Sequence, residues 1–342
     1  MEPWQSNHAN RRGPNTPPRK APGKKLVEIL SAHKAWLEKR GGERAILTRA
    51  VLNGLDLRHA DLRQAVLTEA IFADSDLSQA NFAGAELRDS DFRGATLFKV
   101  EFSQADLTRV NLQDCWIAES VFNEAQMRHT RFYGASLRDC RMFDVQLYGC
   151  DLTLSVLISA QLNNANLFDC HFADTDLTRT SFLRARLQLC RFPGAQMNRT
   201  KMAGARIQNC DFRAVKAQDS DFTGADMRHV SLYGTSFKGC NFTEANLKGA
   251  DLSYADLGGS AFGDANLQGV DLRGTILDSA RELKGRQLSQ ARTSEITVLP
   301  NGTRGPYVPG TGAENARPRD VTRGQDSQSA RLTGPENAMD TP

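Results

Sequence analysis

This 342-residue chain has no run of the roughly 18 apolar residues that a bilayer-spanning helix needs, so no membrane span is expected. The opening MEPWQSNHANRRGPNTPPRK lacks an apolar core followed by a cleavage site. A secretory signal is therefore not expected, and the chain is placed in the cytoplasm. Its seven cysteines are odd in number and form no CxxC pair, which argues against a disulfide framework or a zinc site. The six histidines (His8, His33, His59, His129, His171 and His229) share no spacing with carboxylates or cysteines. Phosphate-cradling glycine loops, nucleophile elbows and metal-ligand pairs are missing too. The chain is read as no enzyme: no catalytic residue, cofactor or metal is expected.

Net charge is small overall, +3, but unevenly placed. Residues 1–50 carry eleven Lys/Arg against four Asp/Glu, residues 51–280 carry 23 against 29, and residues 281–342 carry nine against seven. The leading basic arm reads as a solvated tail; an anionic-surface role is the sharper alternative.

What the chain does have is a period of five. Every fifth residue from Leu47 through Leu272 and Leu277 is Leu, Ile, Met or Phe except Ala217, with no shift of frame. Two places earlier, from Ala50 to Ala280, stands Ala, Ser, Thr, Cys or Val, with Leu55 the one large exception. All seven cysteines occupy this small slot. The unit reads small, polar, large apolar, polar, polar, as in Ala60-Asp61-Leu62-Arg63-Gln64.

A period of five fits neither a helix of 3.6 residues per turn nor a two-residue strand repeat. The apolar residues return to one interior only if the chain turns a corner every five residues. The small and large positions then point inward together, as alternate residues of an extended segment do. One unit cannot bury its leucine, but stacked coils can.

These units, among them Ala80-Asn81-Phe82, Ala105-Asp106-Leu107, Ala165-Asn166-Leu167 and Ala255-Asp256-Leu257, resemble the A(D/N)LXX motif of the pentapeptide-repeat family. The resemblance implies an all-β fold, a right-handed quadrilateral parallel β-helix with four repeat units in each coil. Two features of the sequence point to four sides independently. Of fourteen central phenylalanines, thirteen fall in the alternate series of Phe72, Phe82 and Phe92, leaving only Phe237 in the leucine series. The outlier Ala217 lies four units, or one coil, before Phe237, a small residue compensating a large one. The units make about 11 coils, a solenoid roughly 55 Å long at the strand spacing of about 4.8 Å.

The expected organisation is a disordered basic tail over 1–22, a capping helix within 23–44, the β-helix over 45–280, a C-terminal cap with a short helix over 281–306, and a disordered tail over 307–342. In the first helix Leu26, Leu30, His33 and Leu37 share a face, with Ile29 and Trp36 adjoining, and Gly41-Gly42 stops it. At the far end Glu282 breaks the core pattern, and a helical stretch from Ser279 to Arg292 carries Leu283 and Leu288.

Cys150, Cys170, Cys190 and Cys210 follow one another at intervals of four units and should stack in one column. The plain reading is small apolar filler in a reducing compartment; a redox or soft-metal ladder is the sharper one.

Function should lie in surface stripes. Phe143, Tyr148, Leu154, Val156, Ile158, Phe168, Leu183 and Leu189 occupy outward slots and form the candidate partner surface, with Tyr148 and Phe168 side by side. Next comes a basic belt of Arg184, Arg186, Arg191, Arg199, Lys201 and Arg206. Arg191 and Lys201 stand one coil before Asp211 and Asp221, so part of the belt is expected to be neutralised, whereas Arg186 and Arg206 should repel and favour an acidic ligand.

The reading that follows is a non-enzymatic scaffold or adaptor rod that binds another protein. The resemblance adds alternatives: a DNA mimic that protects gyrase, or a bacterial effector delivered to host cells. It also leaves open a homodimer formed through a terminus. Mimicry is disfavoured, and so is nucleic acid as a partner. The repeats carry a small net charge, whereas duplex DNA has about one charge per 1.7 Å.

Overall fold

The computed structural model describes residues 23–316. Every fifth residue from Arg49 to Ser279 has a positive φ, between 50° and 72°. This left-handed conformation is disfavoured for residues with a Cβ, yet Glu69, Arg109 and Leu189 all adopt it. Bonds between coils hold it: the Arg49 N–H donates to the Thr68 carbonyl at 3.0 Å, and the Glu69 N–H to that of Arg88 at 2.8 Å. A second bond closes most corners, such as Ala70 N–H to Leu67 O at 3.0 Å. Each such residue turns the chain, and four turns complete a coil.

The coils stack in parallel. Four columns of bridges start at Ile46↔Val66, Val51↔Ile71, Asp56↔Asp76 and Asp61↔Asn81, and the same interval of four units separates partners as far as Ala261↔Arg281. They define four sides: A with Leu67 at a centre, B with Phe72, C with Leu77 and D with Phe82. The molecule is thus a parallel β-solenoid in which most coils contribute single bridges. Only side A contains longer strands: β1 (Gln126–Arg128), β2 (Gln146–Tyr148), β3 (Asn166–Phe168), β4 (Arg186–Gln188) and β5 (Arg206–Gln208). They form one parallel sheet in chain order.

The interior follows the five-residue pattern throughout. Every central residue from Leu47 to Leu277 is buried. Phenylalanines occupy opposite sides B and D, where they stack down the rod: Phe72 on Phe92 at 4.7 Å and Phe82 on Phe102 at 5.2 Å. Most polar members of the small slot bond to the coil before, while Ser90, Ser155 and Thr235 bond three residues back in their own coil. Ser75 Oγ donates to Leu52 O at 2.7 Å, Thr130 Oγ1 to Leu107 O at 2.8 Å, and Cys115 Sγ to Phe92 O at 2.9 Å. Buried hydroxyls and thiols thereby avoid the cost of an unmet hydrogen bond. This explains why Ser, Thr and Cys replace Ala there.

The helix α1 (Lys24–Leu37) packs Leu26, Ile29 and Leu30 against the first coils. His33 is fully buried beneath it. Its Nδ1 accepts from the Ala45 N–H at 3.0 Å and its Nε2 lies 3.0 Å from the Arg63 carbonyl. The two bonds require a neutral ring with its proton on Nε2. Trp36 stacks on this imidazole at 5.6 Å.

Burial depresses the His33 pKa below the ordinary value of 6.5. The unfolded segment therefore takes up a proton first as pH falls. Docking of the helix should be strongest above about pH 6.5 and weaken as pH falls below it. Amide hydrogen exchange of residues 24–37 at pH 7.5 and 5, corrected for the intrinsic rate, measures this. Equal protection at both, or the same loss in His33→Gln, would refute the assignment.

The far end departs from the sequence expectation in two ways. The helix does not run from Ser279 to Arg292: α2 is only Gly285–Leu288. The chain is instead spent on continuing the solenoid with stretched coils, bridging Asp271↔Arg292 and Ile276↔Val298. Glu282 is exposed and Leu283 is buried in its stead. Gln287 stands one coil after Leu267, and its amide donates to Phe262 O and Ala265 O at 2.8 and 2.9 Å. Second, residues 307–316, read as part of a disordered tail, are folded against the end. Tyr307 packs on the core, Ala313 is buried, and the Asn301 N–H donates to the Ala313 carbonyl at 3.2 Å. A solenoid end exposes apolar surface, and this segment covers it. The tails expected over 1–22 and beyond 316 lie outside the described residues.

Candidate interaction surface

The predicted apolar patch is divided by the corners. Tyr148 and Phe168 lie on side A, with Leu189 at its edge, while Leu154 lies on side B, Val156 and Ile158 on side C, and Phe143 and Leu183 on side D. One flat partner cannot touch them all. Leu154 and Leu189 are themselves turning residues, with φ of 58°. Sequence reasoning treated the stretch from Phe143 to Leu189 as one surface, although each coil distributes its four units around the rod.

The adjacent pair survives as a site. The register of β2 and β3 sets Tyr148 opposite Phe168, with ring centroids 6.3 Å apart and tilted by 40°. Polar neighbours hold the tyrosine. Its hydroxyl donates to Gln146 Oε1 at 3.2 Å and accepts from Asn166 Nδ2 at 2.9 Å, and the Arg128 guanidinium lies 5.2 Å from the ring centre. A groove of about 420 Å³ runs beside it along the D–A edge, where Glu124 and Asp144 face Arg128 and Gln146.

The belt encircles the rod as one exposed band. Arg186 and Arg206 lie on side A in register, Arg191 on B, Arg199 at the edge of C, Lys201 on D and Arg184 at the D–A edge. The expected cross-coil partners form no ion pair, although Arg191 still contributes to holding the Asp211 carboxyl down. Arg191 and Lys201 bridge to Asp211 and Asp221 through backbone only. The Asp211 carboxylate is taken by Arg213 at 2.7 Å, which holds its pKa below the usual carboxylate range, and Asp221 accepts from the Thr223 N–H and hydroxyl. A partner two residues away on the same side costs less reorganisation than one on the next coil.

That rule extends along the rod. In the units Asp56-Leu57-Arg58, Asp61-Leu62-Arg63, Asp91-Phe92-Arg93, Asp226-Met227-Arg228 and Asp271-Leu272-Arg273, the arginine reaches back to its aspartate at 2.6–2.7 Å. Arg49–Glu69 and Arg109–Asp89 pair across coils at 2.8 and 2.6 Å. The middle differs. From Arg128 to Arg206 there are eleven Lys/Arg against six Asp/Glu, and among the described residues none of the eleven has an ion-pair partner. Asp151 and Asp176 there bind the N–H groups of Thr153 and Thr178 instead. Among the described residues the rod is therefore acidic at both ends, where many charges form ion pairs, and basic in its centre, where no Lys or Arg does.

Two aromatic pairs escaped the sequence reading. Trp116 stacks on Phe98 at 5.3 Å on side C, with Lys99 Nζ 4.8 Å from the Phe98 ring. Tyr233 meets Tyr254 at 5.6 Å on side B. Each pair is separated by nearly, but not quite, one coil of sequence. That near-match would have revealed them, because a coil brings together neighbouring columns as well as identical ones.

The seven cysteines are buried and none forms a disulfide. Burial pushes the Cys140 and Cys240 thiols up to about 12. In the column, hydrogen bonding from Cys150 and Cys190, together with burial, raises Cys170. Among the described residues no cluster of His, Cys, Asp or Glu is arranged for a metal ion, and no helix is long and apolar enough to cross a membrane.

Comparison with known proteins agrees with this geometry. The family model for the pentapeptide repeat region matches residues 45–122 and 165–242, and that for pentapeptide repeats in eight copies matches residues 105–144 and 240–278. A search of curated proteins found no match. Among solved structures, HetL, a pentapeptide repeat protein involved in heterocyst differentiation regulation from the cyanobacterium Nostoc sp. strain PCC 7120, is 26% identical. That alignment covers 79% of this chain and 96% of HetL, with a TM-score of 0.31. Full-length QnrB1, a plasmid-mediated fluoroquinolone resistance protein, is 17% identical over 55% of this chain and 93% of its own, with a TM-score of 0.25. A pentapeptide repeat protein of the Arabidopsis thaliana thylakoid lumen is 23% identical over 39% of this chain and 83% of its own, with a TM-score of 0.21. With the repeat matched in both halves of the rod and every corner in place, the chain belongs to the pentapeptide repeat family.

Proposed function

We propose that this protein is a non-enzymatic scaffold or adaptor rod in the cytoplasm that binds another protein through side A. The carrying observation is the Tyr148–Phe168 pair, set by strand register and held by Gln146, Asn166 and Arg128. Rigid aromatic anchors beside arginine are the residues that carry most of the energy in protein interfaces. The interaction reading also draws support from the aspartates, most of which are engaged by an arginine or a turn N–H. Buried cysteines that form no disulfide suit a reducing compartment.

Imitation of duplex DNA, with protection of gyrase, has the rod form in its favour. It needs a long row of free carboxylates, and the basic centre interrupts any such row. A gyrase supercoiling assay separates the two readings.

The principal test is affinity capture from the native host with the wild-type rod and with Tyr148→Glu/Phe168→Glu. Both side chains project from the sheet, so the variant should keep the wild-type circular dichroism and lose the specific partners. Identical capture by a folded variant removes side A as the contact.

A further inference from the structure

We propose that side A between Gln126 and Gln208 recognises an extended acidic segment of a partner protein, about six residues long, lying along the rod axis. This rests on the reading of side A as the contact face and adds the chemistry of what it contacts.

Charge complementarity is the first ground. The residues flanking the centres of β1 to β5 include Arg128, Arg186 and Arg206 and no carboxylate. None of these three arginines has an ion pair among the described residues. The same columns supply their own control. One coil before β1, Asp106 is paired with Arg88, and one coil after β5, Asp226 is paired with Arg228 at 2.7 Å. Arg88 and Arg228 on this side are joined to carboxylates, whereas Arg206 forms no ion pair of its own because its column neighbour Asp226 is already held by Arg228.

Dimensions are the second ground. β1 to β5 span four inter-strand steps of about 4.8 Å, close to 19 Å, which six residues at about 3.3 Å each would cover. The Tyr148–Phe168 pair lies between Arg128 and the Arg186–Arg206 pair. A bound segment would place an apolar side chain on the two rings and carboxylates toward both ends.

The surroundings select against other occupants. Glu124 and Asp144 on one edge and Asp169 on the other border the strip, and paired aspartates close both ends. A nucleic acid, charged along its whole length, would run onto these carboxylates, whereas a short acidic stretch would not. A second copy of this chain is disfavoured where its acidic ends offer carboxylates already joined to their own arginines, as at Asp56, Asp61, Glu69, Asp91 and Asp271.

The test is selection of a random decapeptide display library on the full-length protein, beside the folded variants Arg186→Glu/Arg206→Glu and Tyr148→Glu/Phe168→Glu. Wild type should enrich peptides with two or more Asp/Glu around an apolar residue. A synthetic peptide of that consensus should bind at least tenfold more weakly to the arginine variant, and more weakly in 0.5 M salt (about a 4–5 Å Debye length) than in 0.1 M. Enrichment of neutral or basic peptides that depends on Tyr148 and Phe168 overturns the acidic inference while leaving side A as a contact face. No enrichment, with extract capture unchanged in the aromatic variant, overturns both. Tighter binding of oligothymidylate than of the peptide assigns the strip to nucleic acid, and dimers abolished by the arginine substitutions assign it to a second copy; either result refutes the proposal.

Discussion

Phe192→Ala is expected to destabilise the rod by about 3–5 kcal/mol, the usual range for deleting a buried aromatic ring. Phe192 is fully buried, and its ring lies between Phe172 at 4.7 Å and Phe212 at 4.6 Å, nearly parallel to both. Its removal deletes one member of a continuous stack, and the coils above and below cannot close the gap, because backbone bonds between coils fix their spacing. In a solenoid each coil contacts only its neighbours, so the damage should stay local. Urea unfolding should shift to a lower midpoint, and hydrogen exchange should accelerate first in residues 172–212. An unaltered midpoint would show that these rings are not a packed column.

Ala217→Leu should cost about 1–3 kcal/mol through overpacking, and Phe237→Leu added to it should return most of that stability. Side C is a column of Leu, Ile and Met apart from these two positions. Both are fully buried, and the Ala217 N–H donates to the Ser236 carbonyl on the next coil at 2.8 Å. Phe237 does not stack on a ring of its own side; it tilts against Phe222 at 5.5 Å and Phe242 at 6.0 Å on side D. A ring spread across the core in this way needs a small neighbour beneath it. The single substitutions should each destabilise and the double should be far from their sum, as contacting sites are. Additive effects in a thermal denaturation cycle would refute the compensation.

The two outliers illustrate what could be read in advance. Ala217 and Phe237 stood out against a period that never slips, and a coil of four units was the one spacing that made them partners. The cysteine column, the buried leucines and the juxtaposition of Tyr148 with Phe168 were legible for the same reason. Other features were not. The candidate patch from Phe143 to Leu189 is divided among four sides, since closeness in sequence does not mean closeness on a rod that turns a corner with every unit. Phe98 with Trp116 and Tyr233 with Tyr254 meet because side chains from adjoining columns lean together, which same-column reasoning misses. The C-terminal end was hardest: once the period stopped at Glu282, no repeat remained to show that the chain would form two stretched coils in place of a helix.

By itself the sequence determined the coil, its step of four units and the central interior residues from Leu47 to Leu277, because a strict period leaves the chain one way to bury its apolar side chains. Only the tertiary structure decided which charges are free. An arginine two residues from an aspartate, or one coil from a glutamate, has several partners within reach. Distance and competition between those partners determine which pair forms, and so left the centre of side A with open cations.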